Sequence, residues 1–541
     1  MKDISSTGSF VDFTLENFIY VDKTEYIPKL LKLKRVFISR PRRFGKSLTL
    51  DTIATLFETG VEPYFKGTWI YDKWTEPTYP VLRLNFLNFD KNSIEKFNNK
   101  LNSKITEFAE LNHVTSYKEK EEAEDSIDHL LEQLRLEGRQ IVILIDEYDC
   151  QMTANINNET LYKQFQEKIT SFYANLKDKF AIKFLGITGV TRLKDVSIFS
   201  VGSDINDITN ASAYSQMIGF TRDEIKKYYI DYLKLASSYE NNCSVDNVTD
   251  TQLESMLDMM AQNYDGYCFD EDYEKKVFST WSVNKFFQTM IEKKKVQFGE
   301  DWYDNGGLPS ILVNYLKTHE LNIFEYLDKD KFLKVSSDDF KNPTALTTIN
   351  QNVLMCQTGY LTLRSDLNKT STVALGIPNG EIYKALNRLL ANNIFKGNTD
   401  ITDDYGRSLL EVGTVDDIIN LFNSALNSVS YDNYPIVSES SVQNMLKLYL
   451  LGAHQEVLSE VHEAKGRADL IVNTDNRRIV FEFKYAKNET EAKAKLSEAV
   501  EQIKTRDYGN ILPKKNELIR IAAVFNADPK VRAFTENQIV L

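Results

Sequence analysis

The first third of the chain alternates short apolar runs with longer stretches in which apolar residues recur every three to four positions. Residues 36–39, 80–86, 141–145 and 182–187 read as buried strands, and Ile127, Leu130, Leu131 and Leu134 mark the apolar stripe of a helix that Gly138 stops. Strands separated by helices in this way predict a parallel sheet with crossover helices. From about residue 221 to 430 the pattern is mostly helical with a few short strands, and it contains no catalytic spacing and no repeat. Residues 428–437, rich in Ser, Asn, Asp and Tyr with one Pro, read as a hinge. Beyond it come helix 439–451, strands 456–461, 467–473 and 478–485, helix 489–505 and strand 518–525. Ala492, Leu496, Ala499, Val500 and Ile503 form the stripe by which the long helix should pack on that sheet.

A length of 541 residues exceeds what one core usually serves, so several domains are expected. Their boundaries are set at 1–220, 221–430 and 431–541, with the middle region as lid or connector. The 42% hydrophobic and 26% charged fractions describe ordinary globular domains. A net charge of −13 argues against a basic nucleic-acid coat, yet residues 431–541 hold 16 basic and 16 acidic side chains, so the excess acid lies upstream. The polar start of the chain and the lack of a long uncharged stretch predict a cytoplasmic protein with no membrane partner. Cys150, Cys243, Cys268 and Cys356 are too scattered for a metal-ligand pair and read as reduced thiols, without disulfides or zinc.

After the first strand comes Arg40-Pro41-Arg42-Arg43-Phe44-Gly45-Lys46-Ser47 and then a helical run, the context of a phosphate-binding P-loop. Backbone N–H groups at the helix start would cradle phosphates, Lys46 would neutralise the outer ones, and Ser47 would ligate magnesium. Arg40 stands where the first glycine is usual, and Pro41 pushes it towards an extended backbone, so the loop must begin differently. The strand at 141–145 ends in Asp146-Glu147, placing Asp146 for the magnesium shell and Glu147 for the attacking water. The bland alternative is a buried strand capped by two solvated acids. Thr188, at the end of the next strand, is placed to sense the γ-phosphate, with Arg192 close behind.

In the last domain, a loop at 474–477 pairs Asn473 with Arg478 and brings Asp469 opposite Glu482, with Lys484 projecting from the same face. Directly opposed carboxylates destabilise a hairpin unless a cation sits between them, and magnesium suits such oxygen ligands. The alternative is an exposed cross-strand salt-bridge cluster, which is common and worth little. With a metal, the site would activate water against a phosphodiester while Lys484 orients the water or steadies developing charge.

Tyr20-Val21-Asp22-Lys23-Thr24 and the 39–47 segment resemble the opening of the bacterial AAA-ATPase-like family that is often joined to a nuclease-superfamily domain. Further matches are Gly186-Ile187-Thr188-Gly189-Val190, Ile198-Phe199-Ser200, Asp207-Ile208-Thr209, Gly219-Phe220-Thr221, Tyr264-Asp265-Gly266-Tyr267 and Gln357-Thr358-Gly359-Tyr360-Leu361. Arg40 at the start of the loop is a feature of that family, and Ser203 and Asp204 stand where it commonly has asparagines. The last domain resembles the PD-(D/E)XK nuclease superfamily, with Ala468-Asp469 as the first motif and Glu482-Phe483-Lys484 as the second. This resemblance implies that Glu439 completes the metal shell, that Gln502 and Tyr508 form a trailing motif, and that Glu460 and Arg467 are weaker candidates.

The resulting expectation is an α/β multidomain chain: a P-loop NTPase-like parallel sheet with helices, a mostly helical middle, and a restriction-endonuclease-like αβββαβ domain. Its cofactors are ATP, held by Arg42, Arg43, Gly45, Lys46, Ser47, Asp146 and Thr188, and Mg2+, with Mn2+ the alternative at the nuclease site. The catalytic set is Glu147, Asp469, Glu482, Lys484 and Gln502, and the metal set is Ser47, Asp146, Glu439, Asp469 and Glu482. The function so read is an ATP-hydrolysing protein coupled to a nuclease acting on DNA or RNA. Two other readings stay open: an ATP-regulated nucleic-acid- or protein-binding protein whose nuclease-like domain does not cleave, and a structural homo-oligomer using ATP as a scaffold ligand.

Overall fold

Unbroken apolar runs rich in β-branched residues need cover on both faces, and they form the central strands of a five-stranded parallel sheet. The strands are β1 (Arg35–Ser39), β2 (Val81–Asn85), β3 (Ile141–Asp146), β4 (Ile182–Gly189) and β5 (Asn206–Asp207), in the order β2-β3-β4-β1-β5. The four strands read from the sequence are present, each within two residues of its expected ends. The helix after β1, Lys46–Thr59, and the predicted crossover helix, Ala123–Leu136, lie between strands. Because β1, β3 and β4 run parallel, their carboxyl ends open on one edge, which is where ligands of such sheets bind.

The structure is a computed structural model that describes residues 1–177, 179–193, 204–299, 310–316, 319, 322–343, 345–369, 371–395, 405–453, 455–463, 466–510, 515 and 517–540. It forms two compact units, Met1–His319 with Phe332–Ile382, and Glu320–Lys331 with Tyr383–Leu541. Of the 221–430 region, residues 221–319 and 332–382 fall in the first unit and 320–331 and 383–430 in the second. In the first unit, Ile225, Leu233, Met256, Leu257, Val283 and Phe287 belong to one core built from the helices that follow the sheet. A small antiparallel sheet joins β6 (Leu333–Ser336), β7 (Thr362–Leu363) and β8 (Thr372–Gly376) in the order β6-β8-β7. Among the described residues no helix is long and apolar enough to cross a membrane.

The motif 264–267 has a packing reason. Gly266 sits at φ +93°, and a Cβ there would lie 2.3 Å from the Pro378 carbonyl oxygen. Gly266→Ala should thus cost roughly 2–4 kcal/mol, combining a backbone that L residues avoid with a clash against main chain. A melting curve checks this, and an unchanged midpoint would contradict it.

In the second unit, β9 (Glu456–Glu463), β10 (Gly466–Asn473), β11 (Arg477–Ala486), β12 (Glu517–Asn526) and β13 (Ala533–Ile539) form a sheet in chain order, with β11 and β12 parallel and the rest antiparallel. The β11–β12 crossover is the helix Glu489–Arg506, and its Ala499, Val500 and Ile503 pack with Ile471, Val480 and Ala522 as the stripe predicts. The first helix, Glu439–Gly452, is capped by the Ser438 side chain, which accepts from Ser441 N–H. The αβββαβ order is present, and β13, which the sequence reading did not include, extends it. The pairing Asn473↔Arg478 is as expected, but the β10–β11 ladder stops at Leu470↔Phe481, one step short of Asp469 and Glu482.

Candidate nucleotide and metal sites

At the open edge of the parallel sheet, Gly45 caps the helix Lys46–Thr59 at φ +101°, and nothing lies within 4 Å of where its Cβ would stand. This empty, left-handed position at a helix start is the form of a phosphate cradle. Lys46 is buried and donates to the carbonyl oxygens of Arg40 (3.1 Å) and Pro41 (3.2 Å), with Glu147 3.7 Å away. Ser47 Oγ donates to Asp146 Oδ2 at 2.6 Å, and Thr188 Oγ1 donates to Asp146 Oδ1 at 2.5 Å. The structure therefore joins Lys46, Ser47, Asp146, Glu147 and Thr188 through side-chain contacts although they come from three strand ends. Burial raises the Glu147 carboxyl above its ordinary range, and Lys46 opposes that rise. A carboxylate so shifted is a better proton acceptor at neutral pH.

The arginines of the loop have separate places. Arg40 is 1% exposed, donates to the carbonyls of Ser39 (2.9 Å) and Thr209 (2.6 Å), and lies 4.1 Å over the Phe269 ring. Burial pushes its pKa down to about 9, which leaves it charged at neutrality. The unusual start of the loop is thus a buried strut, and its guanidinium is committed to packing. Arg43 stacks 4.7 Å from the Trp281 ring, while Arg42 lines a small recess with Glu147 and Asp149. Arg192 forms an ion pair with Asp207 and donates to the Lys341 carbonyl. The expected motif at 198–200 and Ser203 lie outside the described residues.

A cavity of about 150 Å³ starts at Gly45 and Thr49 and runs between Tyr20, Phe220, Tyr229 and Trp281. Its walls are mostly apolar, and the Trp281 indole nitrogen is buried without a hydrogen-bond partner. A flat heteroaromatic base fits this chemistry better than water does. Tyr20 and Phe220 lie in segments the sequence singled out, but Tyr229 and Trp281 carry no motif, and no local spacing brings the four together.

The second site lies where β10 and β11 stop pairing. Asp469 Oδ2 accepts from Phe483 N–H at 2.8 Å, so its side chain takes the place of a ladder bond. Gln443, one helical turn after Glu439, lies near enough to Asp469 to oppose part of the rise that burial causes in its carboxyl. Glu482 is 0% exposed, and its Oε2 has no hydrogen-bond partner. Its other oxygen accepts from Lys484 Nζ at 2.9 Å, and that ammonium also reaches Phe483 O (3.1 Å) and Glu439 Oε1 (3.4 Å). Burial raises Asp469 to about 6 and, with the added charge of Asp469, raises Glu482 to about 7. Burial would lower Lys484, but Glu482 outweighs it and the ammonium is held charged.

Among the described residues no three or more His, Cys, Asp or Glu groups converge as a metal cluster. Glu439 is linked to Glu482 through Lys484 rather than adding directly to the acid pair. The Asp469–Glu482 pair itself fits a divalent cation, because a fully buried carboxylate oxygen without a donor is costly and a cation removes that cost. Gln502 is half-buried on the long helix, and Tyr508 is buried, its hydroxyl accepting from Arg506 Nη1 at 2.8 Å. Arg467 is exposed at the start of β10, and the Glu460 side chain lies outside the described residues.

A pH dependence follows from the two raised carboxyls. Both bind a proton more tightly folded than unfolded, so they stabilise the metal-free fold at low pH, and that contribution is lost as pH rises through about 6 to 7. In chelator, the wild-type chain should lose melting temperature between pH 5 and 8 more steeply than Glu482→Gln. Parallel curves would contradict the burial argument.

Residues 5–199 match the model of a predicted AAA-ATPase family, and residues 437–535 match that of the PD-(D/E)XK nuclease superfamily. Over 530 residues, 95% of this chain and 94% of the relative, the sequence is 26% identical to an uncharacterized protein in the vnfD 5′ region of Azotobacter chroococcum mcd 1. The Walker-type ATPase PABY2304 of Pyrococcus abyssi is 10% identical with a TM-score of 0.35, covering 67% of this chain and 94% of its own. The corresponding figures for Cdc6p of Pyrobaculum aerophilum are 11%, 0.23, 68% and 93%.

Proposed function

We propose that this chain, which joins an AAA-ATPase-like region to a PD-(D/E)XK nuclease superfamily domain, binds and hydrolyses ATP and cleaves DNA or RNA phosphodiesters in a metal-dependent reaction. The observation that carries the cleavage reading is the buried, unpartnered Glu482 oxygen beside Asp469 and Lys484. An exposed salt-bridge cluster would not bury a carboxylate completely. A divalent cation, Mg2+ first and Mn2+ as the alternative, supplies positive charge for phosphate oxygens at both sites and acidifies a water at the second.

The chain's own residues do the rest. Asp469, aimed by Phe483 N–H, and Glu482 would hold the cation. Lys484, fixed by Glu482 and the Phe483 carbonyl, keeps one ammonium beside the scissile phosphate and opposes charge building there. In the other unit, Lys46 exchanges the carbonyls of Arg40 and Pro41 for the outer phosphates, Ser47 and Asp146 hold the cation, and Glu147 takes the proton of the attacking water. Thr188, bonded to Asp146, keeps that carboxylate in register. The base occupies the cavity closed by Tyr20 and Trp281.

The test is cleavage of labelled single- and double-stranded DNA and RNA in Mg2+ or Mn2+, with and without ATP. Cleavage that chelator stops supports the reading. Binding without cleavage in any metal favours the non-cleaving alternative, which the equal 16 and 16 charges of residues 431–541 also suit.

A further inference from the structure

The segment 357–361 has no part in the chemistry above, yet it touches the nucleotide site at one residue. Beyond Thr188 the chain makes a turn that residues on two other elements grip. Asp149, buried after β3, accepts at Oδ2 from Thr191 N–H (2.7 Å) and Thr191 Oγ1 (2.5 Å), and at Oδ1 from Val190 N–H (3.3 Å). Tyr148 Oη donates to the Thr191 carbonyl at 3.0 Å. The next residue, Arg192, donates its N–H to Gln357 Oε1 (3.3 Å), and Gln357 Nε2 donates to the Arg192 carbonyl (3.2 Å). One side-chain amide thereby serves both backbone groups of one residue, as a neighbouring strand would.

We propose that Gln357 is a positioning residue of the nucleotide site, clamping Arg192 so that the 188–192 turn holds Thr188 against Asp146. This rests on the ATP-hydrolysis reading. Only a carboxamide offers a donor and an acceptor side by side; a carboxylate keeps the acceptor alone, and a thioether of the same length keeps neither. Gln357 is presented rigidly. It ends the helix Gln351–Gln357, and the following Thr358 hydroxyl donates back to the carbonyls of Leu354 (2.9 Å) and Met355 (3.2 Å). The clamp lies four residues from Thr188, whose 2.5 Å bond to Asp146 tolerates little displacement. Among the described residues the Gln357 side chain hydrogen-bonds Arg192 and neither Lys46, Ser47 nor Gly45, so the amide acts on the hydrolytic geometry more than on phosphate binding.

The test compares Gln357→Met and Gln357→Glu with the wild-type full chain, measuring ATP turnover, KM, melting temperature and amide hydrogen exchange. Gln357→Met should lower kcat by about 10- to 100-fold, the range expected for small misplacements of reacting groups, with KM within about threefold. Gln357→Glu, which keeps the acceptor, should fall between, and exchange at Arg192, with Thr191 beside it, should quicken most in Gln357→Met while the melting temperature holds. Wild-type turnover in Gln357→Met overturns the proposal, as does a matched loss of kcat, KM and melting temperature. A wild type that hydrolyses no ATP defeats the ATPase reading instead; the exchange measurement then decides this one, and equal exchange in all three proteins overturns it.

Discussion

Lys46→Ala is expected to weaken ATP binding by about 100-fold or more, since removing a desolvated charge from a charged partner costs on the order of 3 kcal/mol. Lys46 is buried, and its present acceptors are two neutral carbonyls with Glu147 at 3.7 Å, so its charge is satisfied mainly when phosphate arrives. The same substitution should leave metal binding by Asp469 and Glu482 unchanged, because those residues belong to the other compact unit. Equilibrium binding of a fluorescent ATP analogue measures the first effect, and Mn2+ titration the second. Retained nucleotide affinity would place the phosphates elsewhere.

The complementary change is Asp469→Asn. The amide keeps an oxygen that can accept from Phe483 N–H, so the end of the β10–β11 hairpin is preserved, whereas Asp469→Ala would strand that buried donor. What is lost is one of two negative charges for the cation. Cleavage should fall by about 10³-fold or more, near 4 kcal/mol of barrier. ATP turnover should stay at the wild-type rate. Cleavage by Asp469→Asn at the wild-type rate would remove this carboxylate from the reaction.

The strands and crossover helices were legible because burial on both faces writes itself as continuous apolar runs, and helices as a repeat of three to four. Gly45-Lys46-Ser47 and Asp146-Glu147 stood out because each follows directly on an apolar strand, and the structure brings their side chains together. The carboxylate pair was legible from hairpin register, but the ladder ends before it, since Asp469 bonds the Phe483 amide with its side chain. A register count assumes that main-chain pairing continues. β13, Ala533–Ile539, was missed because its sequence AFTENQI is largely polar and half-exposed at the sheet edge. Asp149 was missed, and the Gln357 motif was seen without its contact, for a different reason: each hydrogen-bonds a residue distant in sequence, and such pairs leave no local period. The burial of Arg40 has the same origin, since Phe269 and Thr209 that enclose it lie far along the chain.

The claim on which the rest depends is that the chain holds two metal-assisted phosphate sites, one in each unit. Anomalous diffraction from crystals of the full chain grown with Mn2+ and a non-hydrolysable ATP analogue addresses it directly. The account predicts one manganese between Asp469 and Glu482 and another at Ser47 and Asp146, beside the analogue's phosphates. Manganese at the second position with none between Asp469 and Glu482 would contradict it.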